Sequence, residues 1–369
     1  MRVPPRHVIR MLHVAGHRRE LVLFDQLTSA WQMLRPRALA QTRKHVADLR
    51  DDVRAMREEM RLFHETLAGD LALVRGSVAR LANREAQLRA LAERDIELEG
   101  RGDELDRVLA DPSAAPHIRQ RIADTALRLP PFPHQIVDQV LPKPLYDALI
   151  TGLPPVEMFN DHTPNKRQLT APFKLAPSYS RRIWTHFVHD VVPHLLTPAL
   201  LDRFRAPLEA WMAAQFPDAG IGLDGLDMVP SDGRILLRTR GYVIKPHRDP
   251  KWGFLTCILY LARPGDSPAW GTQLYEVEGD EEARGALPHW IQGRPCRQVT
   301  DVTFVSNRAL VFLNSAGAHG ASIPADAPEG LERYIYQFRI GPSAAAMAML
   351  MNSLPDERRA FWAGKLADY

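Results

Sequence analysis

The sequence predicts an α+β chain: a helical N-terminal part, then a strand-rich domain built as an antiparallel barrel or jelly roll, then a closing helix. Three observations predict it. Apolar residues recur with a seven-residue period from Val46 to Leu88. After Asp224 the texture changes to short apolar or alternating runs, among them "GRILLRTRGYVI", "LTCILYLA", "TQLYEVE", "QVTDVTFV", "ALVFLN" and "RYIYQFRI". Gly, Pro, Asn and Asp separate these runs, as turns require. Helices followed by many short strands fit a layered α+β domain.

Composition sets the limits. A chain of 369 residues, 45% of them apolar, can bury a substantial core and hold more than one domain. Its net charge of +3 rules out a polyelectrolyte, but the charge is uneven. Residues 1–50 carry ten Lys and Arg against Glu20, Asp25 and Asp48. Such an arm suits an acidic surface, or it is simply a solvated face. Two cysteines, Cys257 and Cys296, exclude a disulfide framework and imply a reducing, cytoplasmic setting. No apolar run reaches the roughly 18 residues of a membrane span, and no continuous apolar stretch follows the N-terminal arginines as in a signal peptide.

Residues 1–45 read as the basic arm with a short helix, and 46–108 as a coiled coil. Val46, Val53, Met60, Leu67, Val74, Leu81 and Leu88 are spaced by seven, and Leu49, Met56 and Phe63 fall between the first of them. A stutter at Leu67–Leu71 shifts the phase without ending it. A seam of this kind needs a partner helix, so a homo-oligomer is expected; the other reading is a long helix folded back on the second domain. Gly69 and Gly76 weaken the middle. Gly100, Gly102, Pro112 and Pro116 then punctuate a linker, placed at 109–127. The globular domain is expected over 128–345. It opens with an extended segment from His134 to Val140 and a helix through Leu145–Leu153, followed by the helical "SYSRRIWTHFVHDVVPHLL" and "PALLDRFRAPLEAWMAAQF". A C-terminal helix over 346–369 closes the chain.

The stretch "GYVIKPHRDPKWGF" carries the chemistry. Residues i and i+2 of a strand share a face, so His247 and Asp249 can reach one point while Arg248 faces away. "ALVFLNSAGAHGASIP" supplies His319 just past another apolar run. Two imidazoles and a carboxylate are the ligands that hold Fe(II) and leave positions open for reactants. A rival cluster, His186, His189 and Asp190 in "THFVHDVVPH", has zinc-like spacing but no accompanying Cys or H-E-x-x-H pattern, and Pro193 interrupts it. No P-loop, dinucleotide fingerprint or nucleophile elbow occurs in a fitting context.

From Pro131 to Pro342 the sequence resembles the Fe(II)/2-oxoglutarate-dependent dioxygenase superfamily, in particular its prolyl-hydroxylase-like branch. "PFPHQIVDQVLPKPLYDALITGLP" resembles the segment before the barrel, "PHRDP" the H-x-D pair, and "WGTQLY" a W-G-G-x-L strand with Thr272 in place of the second Gly. "NRALVFLNSAGAH" resembles the strand leading to the distal His, and "RYIYQFRI" the final strand. The resemblance implies a double-stranded β-helix in which His247, Asp249 and His319 hold Fe(II). It also implies that Arg333, with Tyr260, binds 2-oxoglutarate as cosubstrate with O2. A buried carboxylate needs a paired, bidentate partner, which Arg provides. Arg339 lies on the same strand face and is the rival; Arg238 and Arg240 are weaker ones. Tyr242 could line either the cosubstrate or the substrate side. Asn314 either orients a ligand or caps its strand. The implied reaction hydroxylates an unactivated C–H bond and releases succinate and CO2.

Two other functions stay open on the residues alone: an inactive barrel on a coiled-coil scaffold that assembles partners, and a cupin-like metal protein that uses no 2-oxoglutarate. The substrate is not fixed by fold; peptides, amino acids, glycan or lipid precursors and carrier-linked molecules all fit. The expected entrance at 155–182, with Lys166, Arg167, Lys174, Arg181 and Arg182, is basic, which hints at an anionic substrate.

Overall fold

The computed structural model describes residues 36–363 apart from 164, 171, 172, 174, 175, 279–294 and 315. The basic arm up to residue 35, Lys174 and the last six residues therefore lie outside the described residues. The chain divides into two units, Met1–Ala82 and Asn83–Tyr369.

The first unit contributes most of one helix, α1 (Pro36–Glu97). The heptad seam is helical, and its apolar side chains face solvent: Leu49, Met56 and Phe63 are 60%, 61% and 64% exposed. Among the described residues no partner helix covers them, so helix formation is observed without a coiled coil. Ion pairs one turn apart, Arg61 with Glu58 and Glu65, decorate the surface.

In the second unit the last turns of α1 make tertiary contacts. The Gln87 amide donates to the Glu157 carbonyl at 2.7 Å, Arg94 donates to the Thr151 carbonyl, and Leu98 just beyond the helix is buried. Two short helices follow, α2 (Gly102–Leu109) and α3 (Ala114–Asp124). The second occupies the stretch read as a linker. Pro116 does not break it, because it sits in the first turn, where a backbone N–H has no intrahelical partner anyway. Leu105, Ile118 and Ile122 are buried.

Strand β1 (His134–Val137) and helix α4 (Lys143–Thr151) come next, then the hairpin β2 (Asn160–Thr163) and β3 (Lys166–Thr170). Helix α5 (Ser178–His186) continues through a π-helical stretch, Phe187–Leu196, into α6 (Thr197–Gln215). Pro193 lies inside the wide-turn stretch, where its missing N–H is accommodated.

Eight strands then form the roll: β4 (Met228–Arg238), β5 (Val243–His247), β6 (Leu255–Tyr260), β7 (Thr272–Val277), β8 (Cys296–Val302), β9 (Ala309–Leu313), β10 (Ala318–Ser322) and β11 (Arg333–Pro342). They pair antiparallel in a seven-stranded sheet, β1-β9-β6-β11-β4-β3-β2, and a four-stranded sheet, β5-β10-β7-β8. β4, β6, β9 and β11 lie in the first sheet and β5, β7, β8 and β10 in the second. That exchange of successive strands is jelly-roll topology. Helices α7 (Ala344–Asn352) and α8 (Asp356–Ala363) close the described chain, where a single C-terminal helix was expected.

The two-residue period of the strands builds two cores. One face of the large sheet turns inward, and Leu236, Ile258, Tyr260, Leu310, Phe312 and Ile335 fill the roll with Leu274 and Phe304. The alternate residues Ile235, Leu237, Cys257, Tyr336 and Phe338 pack against Trp184, Phe187 and Phe204 of the helical layer. Cys257 is thus a buried core residue. Each such side chain contributes about 1.5–3 kcal/mol on burial. This layer braces the large sheet from behind and leaves the inner face free to carry a site.

Candidate metal centre

β5 and β10 are adjacent antiparallel strands in which His247 stands directly opposite His319. Their rings are 4.2 Å apart between centroids. Gly320 permits this approach, since a Cβ there would lie 2.9 Å from the Ile244 carbonyl oxygen. Asp249 follows two residues after His247, with one carboxylate oxygen 3.8 Å from His247 Nε2 and the other 3.9 Å from His319 Nε2. One ligand atom from each of the three lies within 4.8 Å of the others, and all three residues are buried. His247 Nδ1 donates to the Lys245 carbonyl at 2.9 Å, which leaves the Nε2 lone pair facing Asp249.

The electrostatics suit a cation. Burial, reinforced by Arg238 and Lys166, lowers the His247 imidazole below its usual range. Burial and His247 push His319 down to about 3. Both rings are thus neutral donors at neutral pH. Burial alone would raise the Asp249 carboxyl. Arg339, the two imidazoles and the Thr256 hydroxyl more than reverse this and hold it below the ordinary carboxylate range. Two neutral imidazoles and one carboxylate converging on one point fit a ferrous ion.

Several side chains hold the carboxylate. Thr256 donates its hydroxyl at 2.8 Å and the Gln337 amide at 3.3 Å, both to Oδ2, while Arg339 reaches Oδ1 at 3.2 Å. Asn314 works on the backbone: its oxygen accepts from Asp249 N–H, and its amide donates to the Pro250 and Gly253 carbonyls. Of the two roles open to it in the sequence, orienting the ligand loop is the one observed. Arg248 turns away, as the strand period requires, and donates to the Gly317 carbonyl at 3.0 Å.

The two arginines of β11 separate cleanly. Arg339 is engaged by Asp249 and, at 2.7 Å, by Asp232. Arg333 is 1% exposed and makes one hydrogen bond, to the Ala269 carbonyl at 2.7 Å. Its Nε and Nη1 are buried without partners. The guanidinium stacks 4.3 Å from the Phe304 ring centroid and 5.5 Å from that of Trp270. Tyr260 packs on the same Phe304 ring at 5.4 Å, with its hydroxyl also unpartnered. Burial pushes that phenol up to about 12. The buried Thr272 hydroxyl lies beside it and acts against that rise. Orphaned buried donors each cost about 1–3 kcal/mol, and the two bare guanidinium nitrogens of Arg333 near the Tyr260 and Thr272 hydroxyls fit a carboxylate ligand.

His186 and Asp190 form a 2.9 Å pair on the helix surface, and among the described residues the only three-residue cluster suited to a metal is His247, Asp249 and His319. Sequence reading missed Arg339 as the partner of Asp249, and also Thr256, Gln337 and the hydroxyl role of Thr272. Strand alternation alone would have placed Gln337 beside Arg339 on the inner face.

No family model matches the chain, and no curated protein matches its sequence. Among solved structures it is similar to a Pseudomonas putida prolyl-4-hydroxylase, at 16% identity and a TM-score of 0.36, covering 62% of this chain and all of that one. It is also similar to HygX from Streptomyces hygroscopicus with nickel, 2-oxoglutarate and hygromycin B bound, at 18% identity and a TM-score of 0.36, covering 57% and 83%. A third is a Trichoplax adhaerens prolyl hydroxylase in complex with a hypoxia-inducible-factor peptide, at 10% identity and a TM-score of 0.36, covering 69% and 96%. These scores are low, and the reading of the site rests on its own side chains.

Proposed function

We propose that the chain is an Fe(II)- and 2-oxoglutarate-dependent oxygenase that hydroxylates an unactivated C–H bond. His247, Asp249 and His319 hold the metal, and Arg333 with Tyr260 and Thr272 holds the far carboxylate of 2-oxoglutarate. The observation that carries the reading is a buried His–Asp–His cluster beside Phe312, together with a separate buried guanidinium, without an ion pair, beside Phe304 of the same core cluster. Ferrous iron with 2-oxoglutarate and O2 supplies the oxidation, which yields succinate, CO2 and the hydroxylated product. The protein's part is placement and exclusion of water. Arg333 neutralises a carboxylate that would otherwise be costly to bury. Phe304, Trp270 and Ile335 give that end of the pocket an apolar wall. Thr256, Gln337 and Arg339 fix the Asp249 carboxylate. An inactive scaffold has no use for orphaned donors at the far end, and a cupin-like centre without 2-oxoglutarate leaves Arg333 unexplained.

Anaerobic addition of Fe(II) and then 2-oxoglutarate tests the reading. A broad visible absorption band that needs both, followed by succinate release on admitting air, is expected. Absence of the band in metal-loaded protein would sink it.

The exposed seam of α1 is best explained by a second copy of this chain forming a coiled coil, since no residue of the same helix can cover it. Phe63→Glu is expected to shift the sedimentation mass from oligomer to monomer. The two free cysteines suit a reducing compartment, and no described helix is long and apolar enough to cross a membrane.

A further inference from the structure

Three cations stand in one row across the large sheet. Lys166 of β3 is directly opposite Arg238 of β4, which is directly opposite Arg333 of β11. Residues paired in this way project to the same face. That face is the inner one, because Gln337 and Arg339, further along the same side of β11, reach Asp249. Arg234, two residues before Leu236 on β4, is opposite Gln337 and joins the row's side. Like charges directly opposed on neighbouring strands are destabilising. The 2-oxoglutarate carboxylate answers Arg333 and leaves Lys166 and Arg238 unanswered.

Among the described residues, neither Lys166 nor Arg238 makes an ion pair. The nearby carboxylates are already used: Asp249 and Asp232 by Arg339, and Asp266 and Glu332 by Arg263. The Arg238 Nε is buried without a partner, and its guanidinium lies 5.0 Å from the centroid of the Tyr242 ring, whose hydroxyl is also unpartnered. The same face leads to the triad, since Gln337, opposite Arg234, donates to Asp249. Burial first, then Arg238 and Arg234, pushes the Lys166 amine down to about 8. Exposure separates their job from that of Arg333. Arg333 is sealed at 1%, whereas Lys166, Arg234 and Arg238 are half-buried. β5 is the edge of the small sheet, while the large sheet continues past β4 to β3 and β2. The accessible cations thus lie on β4 and on β3, the strand that continues the large sheet past it.

We infer that the substrate carries an anionic group, a carboxylate or a phosphate, and that Lys166 and Arg238 seat it at the β3–β4 side of the metal centre. The inference rests on the oxygenase reading for the word substrate, but the anion site is testable by itself. Arg238 offers a planar fork for the anion and Lys166 a point charge opposite it. Fixing that group positions the C–H bond to be oxidised without any contact to the bond itself.

Protein loaded with Ni(II) in place of iron, so that no turnover occurs, and saturated with 2-oxoglutarate is titrated calorimetrically with phenyl phosphate, phenylacetate and benzyl alcohol. At least one anion is expected to bind roughly tenfold or more tightly than the alcohol, and the stronger of the two names the group. Lys166→Ala and Arg238→Gln are each expected to weaken that binding roughly tenfold, and Lys166→Arg to retain it. Both weakened variants should bind 2-oxoglutarate as wild type does and melt near the wild-type temperature. Equal binding of anion and alcohol, or undiminished anion binding in both variants, overturns the inference. A loss of 2-oxoglutarate binding in the variants also overturns it, by assigning the cations to the cosubstrate. Wild-type protein that takes up Ni(II) but no 2-oxoglutarate refutes the oxygenase reading instead, and leaves the anion comparison to be decided on the same titrations.

Discussion

β11 carries two buried arginines on one face, and they live in opposite circumstances. Arg339 has both terminal nitrogens in ion pairs, with Asp232 and Asp249. Arg333, six residues earlier, keeps two nitrogens buried and unpaired against aromatic rings. The first end of the strand is complete without any visitor except a cation. The second would be completed by an anion, on the proposed reading. Buried cations are costly alone and tolerable in pairs, so the difference marks which arginine serves the architecture and which serves a ligand.

The strongest way to break the comparison is Asp249→Ala. It deletes the only carboxylate of the triad and leaves Arg339 with Asp232 alone. Loss of Fe(II) binding and a fall in succinate release on the order of a thousandfold or more are expected, because the ligand set is no longer intact. Equilibrium dialysis with Fe(II) and a succinate assay read both.

Next come the arginines themselves. Arg339→Ala strands the Asp249 carboxylate and is expected to cost the metal-free protein about 3–5 kcal/mol in urea unfolding. Added metal should then raise its melting temperature by more than it raises that of wild type, because the ion becomes the remaining counter-charge. Arg333→Ala removes no ion pair and should cost far less stability. It should raise the KM for 2-oxoglutarate on the order of a hundredfold with metal affinity intact. Equal stability losses in the two variants would erase the distinction between the arginines.

Acid sharpens the metal end. His319 titrates near 3 in the fold, below its usual range, and His247 is lowered too. The unfolded chain therefore binds more protons than the folded one as pH drops below about 6.5, and stability falls with pH until about 3. The expected loss from His319 is on the order of 4 kcal/mol. Asp249, held below the carboxylate range, adds its own loss as pH falls below about 4, where the unfolded carboxylate takes up its proton. Urea midpoints of metal-free protein between pH 4 and 8 (a window of about four units) follow this, and His319→Gln should flatten the curve. The smallest effect belongs to Tyr260→Phe, which keeps the contact with Phe304 and loses one donor; a few-fold rise in the KM for 2-oxoglutarate is expected.

Much of this was legible in the sequence because strands repeat every two residues. That period paired His247 with Asp249, turned Arg248 away and placed Arg333 and Arg339 on one face. It could not say which arginine was free. The answer depends on a shift in register between Gln337 and Arg339 and on Asp232, which sits at that irregularity inside β4 with a φ of 56°. The row of Lys166, Arg238 and Arg333 was equally hidden, since cross-strand register joins residues more than sixty positions apart. In the helical part, the heptad was read as helix and its face was located. Pro116 was read as a break although its place in the first turn of α3 makes it harmless.

Asn314 has a consequence of its own. One amide group serves three backbone positions around the ligand loop and is 2% exposed. Deamidation would replace its donor with an anion set against two carbonyl oxygens, and the loop that presents Asp249 would be pushed apart. The presentation of Asp249 therefore depends on this one side chain staying a neutral amide.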